Sequence, residues 1–317
     1  LENLIFALNA TVPVFLLMVL GGLFRKLKWI DESFASKMNK FVFLVPLPVL
    51  VFKDLAVVDL QEAWNTKFVL FCFAVTVLSI LLTVLIALLF DRNIRGEFIQ
   101  SSYRSSAALL GIAFIVNIYG DSGFAPLMII GSVPLYNIIA VIVLSLFKPT
   151  EDGSKPKLDR KLVKKTLIGI VTNPILIGIA AGLLWSALKL PVTGIFKKTV
   201  DNLSAVATPM GLMAMGAMFD AKKASGQLKP AITATFLKLF GFCLVFLPLA
   251  ALMGFRNQEM VAILVMLGSA TTVSSFVMAR SMGHEGVVSS TVVMLTTVLA
   301  AFSLTLWLFL LRTFGLI

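Results

Sequence analysis

Histidine occurs once in these 317 residues, cysteine twice, and the acidic side chains number only 16. Each scarcity removes a class of function. The lone His284, in the short turn Gly283-His284-Glu285-Gly286, has no metal-ligating neighbours and is expected to be solvated. Cys72 and Cys243 fall inside apolar stretches at no metal-binding spacing, which argues against a zinc site and against a disulfide between them. The carboxylates read as lying in loops or at helix ends, with Asp54, Asp91 and Asp220 nearest to apolar stretches. A proton carrier inside lipid needs a titrating acid, because an idle one is costly there. None is offered, which argues against a cation/proton exchanger. No nucleophile–base pair or phosphate loop is present, so neither an enzyme nor a cofactor is expected. Polar sequence is also scarce: the one long polar segment, Lys148 to Lys165, is too short for a soluble domain.

What is present is apolar. Hydrophobic residues make up 59% and charged residues 14%, against roughly 45–50% and 25% in soluble domains. So much apolar surface is stable only in lipid. Ten stretches account for it, at about Leu4–Leu27, Phe34–Lys53, Lys67–Phe90, Phe98–Tyr119, Gly123–Phe147, Lys164–Leu188, Gly194–Phe219, Lys229–Met253, Gln258–Met282 and Gly286–Arg312. Each has about 20 residues or more, enough for a 30 Å hydrocarbon layer at about 1.5 Å per residue. The first has no basic segment ahead of it and is a full span long, so it reads as a span rather than a signal peptide.

The second half repeats the first at an offset of 161 residues: Thr11 meets Thr172, Pro13 meets Pro174, Gly21 meets Gly182, Lys37 meets Lys198 and Pro48 meets Pro209. The expected division is a first five-helix repeat over 1–147, a cytoplasmic loop over 148–163 and a second repeat over 164–317. An odd number of spans per repeat inserts the copies in opposite senses, an arrangement that builds one midplane site able to face either side. The net charge of +11 is a topological bias rather than a nucleic-acid surface. Lys and Arg gather on alternate loops, among them those of Arg25, Lys26 and Lys28, of Arg92, Arg95 and Arg104, and of Lys148 to Lys165. The opposite side carries far fewer. Positive-inside placement then puts both termini outside a multi-pass cell (inner) membrane protein.

The fourth and ninth stretches look least like lipid-facing helices. The fourth runs Ser101-Ser102-Tyr103-Arg104-Ser105-Ser106 to Gly111 and Asn117; the ninth contains Gly268-Ser269-Ala270-Thr271-Thr272-Val273-Ser274-Ser275. Hydroxyls and glycines of this kind serve interrupted helices, whose exposed N-termini attract carboxylates; the alternative is close packing of unbroken helices. Tyr136 and Asn137 offer a phenol and an amide inside the fifth stretch, for substrate or for an interhelical hydrogen bond. Lys238, about nine residues into the eighth, snorkels, neutralises a helix C-terminus or attracts substrate. Asn173 before Pro174 reads as a cap or kink.

Arg104 with Gly111, Tyr119-Gly120, Tyr136-Asn137, Asn173-Pro174, Pro209 with Gly216, Lys238-Leu239 and Val277-Met278-Ala279 together resemble the auxin efflux carrier family, which includes the plant PIN proteins and bacterial permeases labelled for malate or malonate. The resemblance implies an all-α membrane fold of ten helices in two inverted repeats, akin to sodium/proton antiporters and bile-acid transporters. Helices 1, 2, 6 and 7 would form a dimerising scaffold, and helices 3–5 and 8–10 a moving transport domain in which interrupted helices 4 and 9 cross. It implies organic-anion transport. The chain departs from the family pattern in having Ala113 and Ala270 where proline is common, and Ser106 and Ser274 where asparagine is common. The expectation is therefore an elevator-type secondary transporter of a small carboxylate, a homodimer in the lipid bilayer. Its site would comprise Ser106, Gly111, Asn117, Tyr136, Asn137, Gly268, Ala270, Thr271, Thr272 and Ser274, with Lys238 as an electrostatic contributor. A sodium-coupled carrier, with Thr271 or Thr272 at the ion, and a non-transporting membrane sensor are the alternatives.

Overall fold

The structure is a computed structural model that describes residues 2–56, 65–107, 112–120, 123–149, 168–169 and 171–317. Its elements, in chain order, are α1 (Glu2–Lys26), α2 (Glu32–Leu44), α3 (Pro46–Ala56), α4 (Thr66–Ala87), α5 (Arg92–Tyr103), α6 (Ile112–Tyr119), α7 (Ala125–Leu146), α8 (Pro174–Ala187), α9 (Gly194–Met218), α10 (Ala221–Gly226), α11 (Leu228–Phe236), a π-helical turn (Leu237–Gly241), α12 (Phe242–Leu252), α13 (Asn257–Gly268), α14 (Ser274–Ser281) and α15 (Val287–Thr313). Among the described residues there is no strand. Among the described residues, five helical stretches are long and apolar enough to cross a membrane: Glu32–Ala56, Thr66–Ala87, Ala125–Leu146, Leu228–Leu252 and Val287–Thr313. Pro174–Ala187 and Asn257–Gly268 are apolar but shorter. The polar loop from Lys148 to Lys165 lies almost wholly outside the described residues, as does Gly111.

Local chemistry sets the helix starts. Asp31, Asn65, Asp91, Asn173 and Asp220 each accept a hydrogen bond from a backbone N–H in the first turn that follows, satisfying donors that a helix start leaves open. Asn173 is thus a cap, with Pro174 in the first turn where its missing N–H costs nothing. The second stretch is not one straight helix. Val45 leaves helical geometry (φ −126°, ψ −71°) just ahead of Pro46, whose ring disfavours the helical region for the residue before it.

Large apolar side chains point outward along these helices, including Leu70, Leu81 and Leu85 on α4 and Phe302, Leu306 and Phe309 on α15. In water such an exterior would aggregate; facing acyl chains it costs nothing.

Glycines fix the closest helix pairs. A Cβ on Gly21 of α1 would lie 2.1 Å from the Met213 carbonyl oxygen of α9, and one on Gly182 of α8 would lie 2.8 Å from the Phe52 carbonyl oxygen of α3. These two contacts are copies of each other, since the same 161-residue offset carries Gly21 to Gly182 and Phe52 to Met213. Gly216 of α9 returns the contact against Met18. Small residues allow the backbone approach that drives helix association in lipid. Gly216→Ala, whose new methyl would meet the Met18 carbonyl oxygen at 1.9 Å, is expected to cost about 1–3 kcal/mol or more. Gly226→Ala, with nothing within 4 Å, should be neutral or mildly stabilising. Melting temperatures of the two purified variants check the contrast, and equal values would contradict it.

Candidate functional site

Two helices stop with their ends buried inside the protein. The α5 helix ends at Tyr103, and Arg104 turns extended (φ −74°, ψ 133°). The α13 helix ends at Gly268, and Ser269 turns extended (φ −75°, ψ 163°). No proline stands at either stop. Hydroxyl and amide groups from each side satisfy what the other has exposed. The Ser106 N–H donates to the Ala270 carbonyl at 3.0 Å, and the Thr271 hydroxyl donates to the Ser101 carbonyl at 2.8 Å. The Gln100 amide donates to the Ser275 carbonyl at 2.7 Å, and the Ser105 hydroxyl donates to the Met266 carbonyl. The Thr271 N–H is taken by the Thr296 hydroxyl of α15 at 3.0 Å.

At this crossing lies a cavity of about 430 Å3, within the size range of small-molecule sites. One wall comes from α3 and α9, through Leu47, Val51, Asp54, Ala207 and Thr208; the other comes from residues 104–107, from Tyr136 and Asn137 of α7, and from Thr272 to Ser274. Arg104 is the dominant group. It is 1% exposed, yet it borders the cavity. Its guanidinium donates to Ser274 Oγ at 2.7 Å, Asn137 Oδ1 at 2.8 Å, Gln100 Oε1 at 3.1 Å and Met278 Sδ at 2.9 Å. All four acceptors are neutral, and Nε has no partner. Among the described residues no carboxylate pairs with it. A buried ion without a counter-ion carries a penalty of several kcal/mol, which neutral acceptors offset only in part. The N-terminus of α14, with Ser274 at the cavity wall, adds the positive end of a helix dipole. The other cavity cation, Lys53, is already paired with Asp201 at 2.7 Å.

The expected site residues separate on this geometry. Ser106, Tyr136, Asn137, Thr272 and Ser274 border the cavity. Asn137 and Ser274 act differently from expectation. A guanidinium only donates, so both present oxygen to Arg104, while the Asn137 amide nitrogen donates to the Val133 carbonyl at 3.0 Å. The Ser274 hydroxyl, 3.1 Å from Thr272 Oγ1, and the second N–H of the Asn137 amide remain available as donors. The Tyr136 phenol donates to the Met266 carbonyl at 3.2 Å. Ala270 and Thr271 are buried in the crossing itself, away from the cavity lining. Gly268 faces Cys243 of α12, whose sulfur would sit 2.8 Å from an added Cβ, so its smallness serves helix packing rather than approach of a ligand. Gly111 lies outside the described residues, and Asn117 is described only as part of α6. Lys238 is 0% exposed. It does not snorkel, and it donates to the Leu267 and Met266 carbonyls at the C-terminal end of α13 and to Ser105.

Other residues correct the reading of charge. Arg104 had counted as a loop cation; removing it leaves the loop asymmetry in place. Asp54, expected merely to end a helix, borders the cavity. Glu97, expected outside the helices, is 2% exposed within α5. It accepts from the Gly286 N–H at 2.8 Å and from the Ser289 N–H and hydroxyl at 3.0 Å, capping α15. Gly286 has φ +74°, a conformation glycine adopts freely. His284 is buried rather than solvated, with Nε2 2.9 Å from the Leu144 carbonyl oxygen; burial holds its imidazole below the usual histidine range. The signal for Arg104 was available in sequence, as an arginine bracketed by the pairs Ser101-Ser102 and Ser105-Ser106. Its acceptors from other helices were not.

Gly268→Ala is expected to destabilise the protein by about 1–3 kcal/mol through overpacking, and Cys243→Ala in the same chain should recover most of that loss. Thermal melts of the two single variants and the double variant give the coupling. Additive effects would mean that the glycine and the thiol do not meet.

Residues 6–308 match the family model described as membrane transport protein. Among curated proteins, none matches the chain. A match over nearly the whole chain makes this a membrane transporter rather than an enzyme, and the protein belongs to the membrane transport protein family, that of the auxin efflux carriers.

Proposed function

We propose that this transporter moves a small organic anion, a carboxylate of the auxin or malate/malonate kind, by alternating access. The observation that carries the reading is Arg104: a guanidinium held at a cavity beside two interrupted helices, with four neutral acceptors and, among the described residues, no paired counter-ion. A carboxylate entering the cavity supplies the missing charge and, in place of one of the neutral acceptors, a charge-assisted hydrogen bond worth about 1.5–3 kcal/mol. A cationic solute gains neither, and a neutral one supplies no charge. Asp54, which shares the cavity, limits the anion's charge, and with Lys53 tied to Asp201 one cation remains to receive it.

The division of the cavity walls supports an elevator. One wall belongs to α3 and α9, which pack with α1 and α8 through the glycine contacts; the other belongs to the crossing. In this reading α1–α3, α8 and α9 form a static, dimerising scaffold. The elements α4–α7 and α11–α15 slide past it as a unit, in two inverted five-helix repeats with both termini extracytoplasmic.

Arg104→Gln is expected to weaken carboxylate binding roughly tenfold to a hundredfold, the range equivalent to one such hydrogen bond. Asp54→Asn should leave binding unchanged or tighten it. A thermal-shift screen of small carboxylates on the purified protein and the two variants measures both effects. Wild-type affinity in a folded Arg104→Gln protein would remove Arg104 from the site.

The orientation has its own test. In a background lacking Cys72 and Cys243, a cysteine at Gly315 should react with an impermeant maleimide on intact cells and one at Ser154 only after lysis. Reaction of the Ser154 cysteine from outside would invert the topology.

A further inference from the structure

Lys238 is the second fully buried cation, and the anion site does not use it: it is absent from the cavity lining. Its ammonium meets three oxygens, those of the Ser105 hydroxyl and the Leu267 and Met266 carbonyls. The two carbonyls close the last turn of α13. Because that helix stops at Gly268, they belong to the group a helix end leaves without partners, and they carry the negative end of its dipole. Among the described residues no carboxylate pairs with the ammonium. The π-helical turn Leu237–Gly241 holds Lys238, and the Trp307 indole N–H fixes the adjoining Leu239 carbonyl at 2.9 Å.

A hydroxyl and two carbonyls at the C-terminal end of a broken helix are hard, neutral oxygen ligands. Such sets hold sodium in transporters built from discontinuous helices. Without a carboxylate they suit a monovalent ion and not calcium, which prefers several charged oxygens. We propose that Lys238 fills a sodium-type site with a tethered ammonium, so that the carrier works without a coupling sodium ion. The inference rests on the transporter reading above and deepens it. A tethered cation supplies the same charge to the crossing as a bound ion but never dissociates, so no sodium gradient can act through it. The short reach from the π turn to Ser105 also joins α11 and α12 to the α5 break, a task an ion would perform only while bound.

The test uses the full-length protein in sodium, potassium and choline chloride at equal ionic strength. Wild-type melting temperature and carboxylate uptake should be the same in all three salts. Lys238→Ala should melt lower, and sodium alone should raise its melting temperature saturably, on the order of 2 °C or more. Lys238→Met, whose side chain occupies the same space without a charge, should gain no sodium response. Sodium-dependent uptake or sodium-specific stabilisation of the wild-type protein would overturn the proposal. A Lys238→Ala protein that behaves alike in the three salts, or that folds in none of them, would also overturn it. The melts require no transported substrate. A failure of the anion reading, seen as no carboxylate stabilising the wild type, is therefore distinguishable from a failure of the sodium inference.

Discussion

Away from water a backbone N–H or C=O without a partner costs several kcal/mol, and this fold buries two helix ends. The crossing of α5 and α13 is the solution: each interrupted segment supplies the bonds the other has lost, through Ser106 with Ala270, Thr271 with Ser101, Gln100 with Ser275 and Ser105 with Met266. The rest follows from that mutual satisfaction. It leaves a cavity beside the crossing, it directs Arg104 toward that cavity, and it presents a helix C-terminus that a cation must neutralise. Neither break contains proline. Serine and threonine hydroxyls suffice because each can both end a helix locally and bond across to the other strand of the crossing.

Three buried charges perform three separate tasks within this framework. Glu97 is compensated by the N-terminus of α15, where two backbone N–H groups and one hydroxyl converge on its carboxylate. Lys238 is compensated by the opposite pole, the C-terminus of α13. Arg104, at the C-terminal cap of α5, has neutral acceptors and, among the described residues, no paired carboxylate, and it alone of the three borders the cavity. A charge balanced by a helix end is structural, whereas one left partly unbalanced beside a cavity has affinity in reserve. The distinction depends on the partners, since all three groups are about equally buried.

The helical architecture was legible because lipid demands long apolar runs, and hydropathy reports them directly. The 161-residue offset read in the sequence also relates two packing contacts, Gly21 with Met213 and Gly182 with Phe52. The breaks were legible as Gly, Ser and Thr clusters. The assignment of donors was not. Asn137, read as meeting either a substrate or another helix, and Ser274, read as meeting an anion, both hold Arg104, because a hydroxyl or amide in one helix does not reveal which atom another helix will bring to it. Gly268 fails for a related reason: its neighbour Cys243 lies in α12, and no periodicity within α13 records it. His284 read as solvated and Glu97 as lying at a helix end, yet both are enclosed where helices converge over them.

The acceptors of Arg104 lie 4, 33, 170 and 174 residues from it along the chain. Two of them, Ser274 and Met278, are made only near the end of synthesis. A nascent chain that has inserted its first half therefore carries an arginine that lipid rejects and that half of its eventual partners cannot yet stabilise. Closure of long-range contacts is slow in general, and the hydrogen bonds of this one guanidinium are complete only when both halves of the chain are in place.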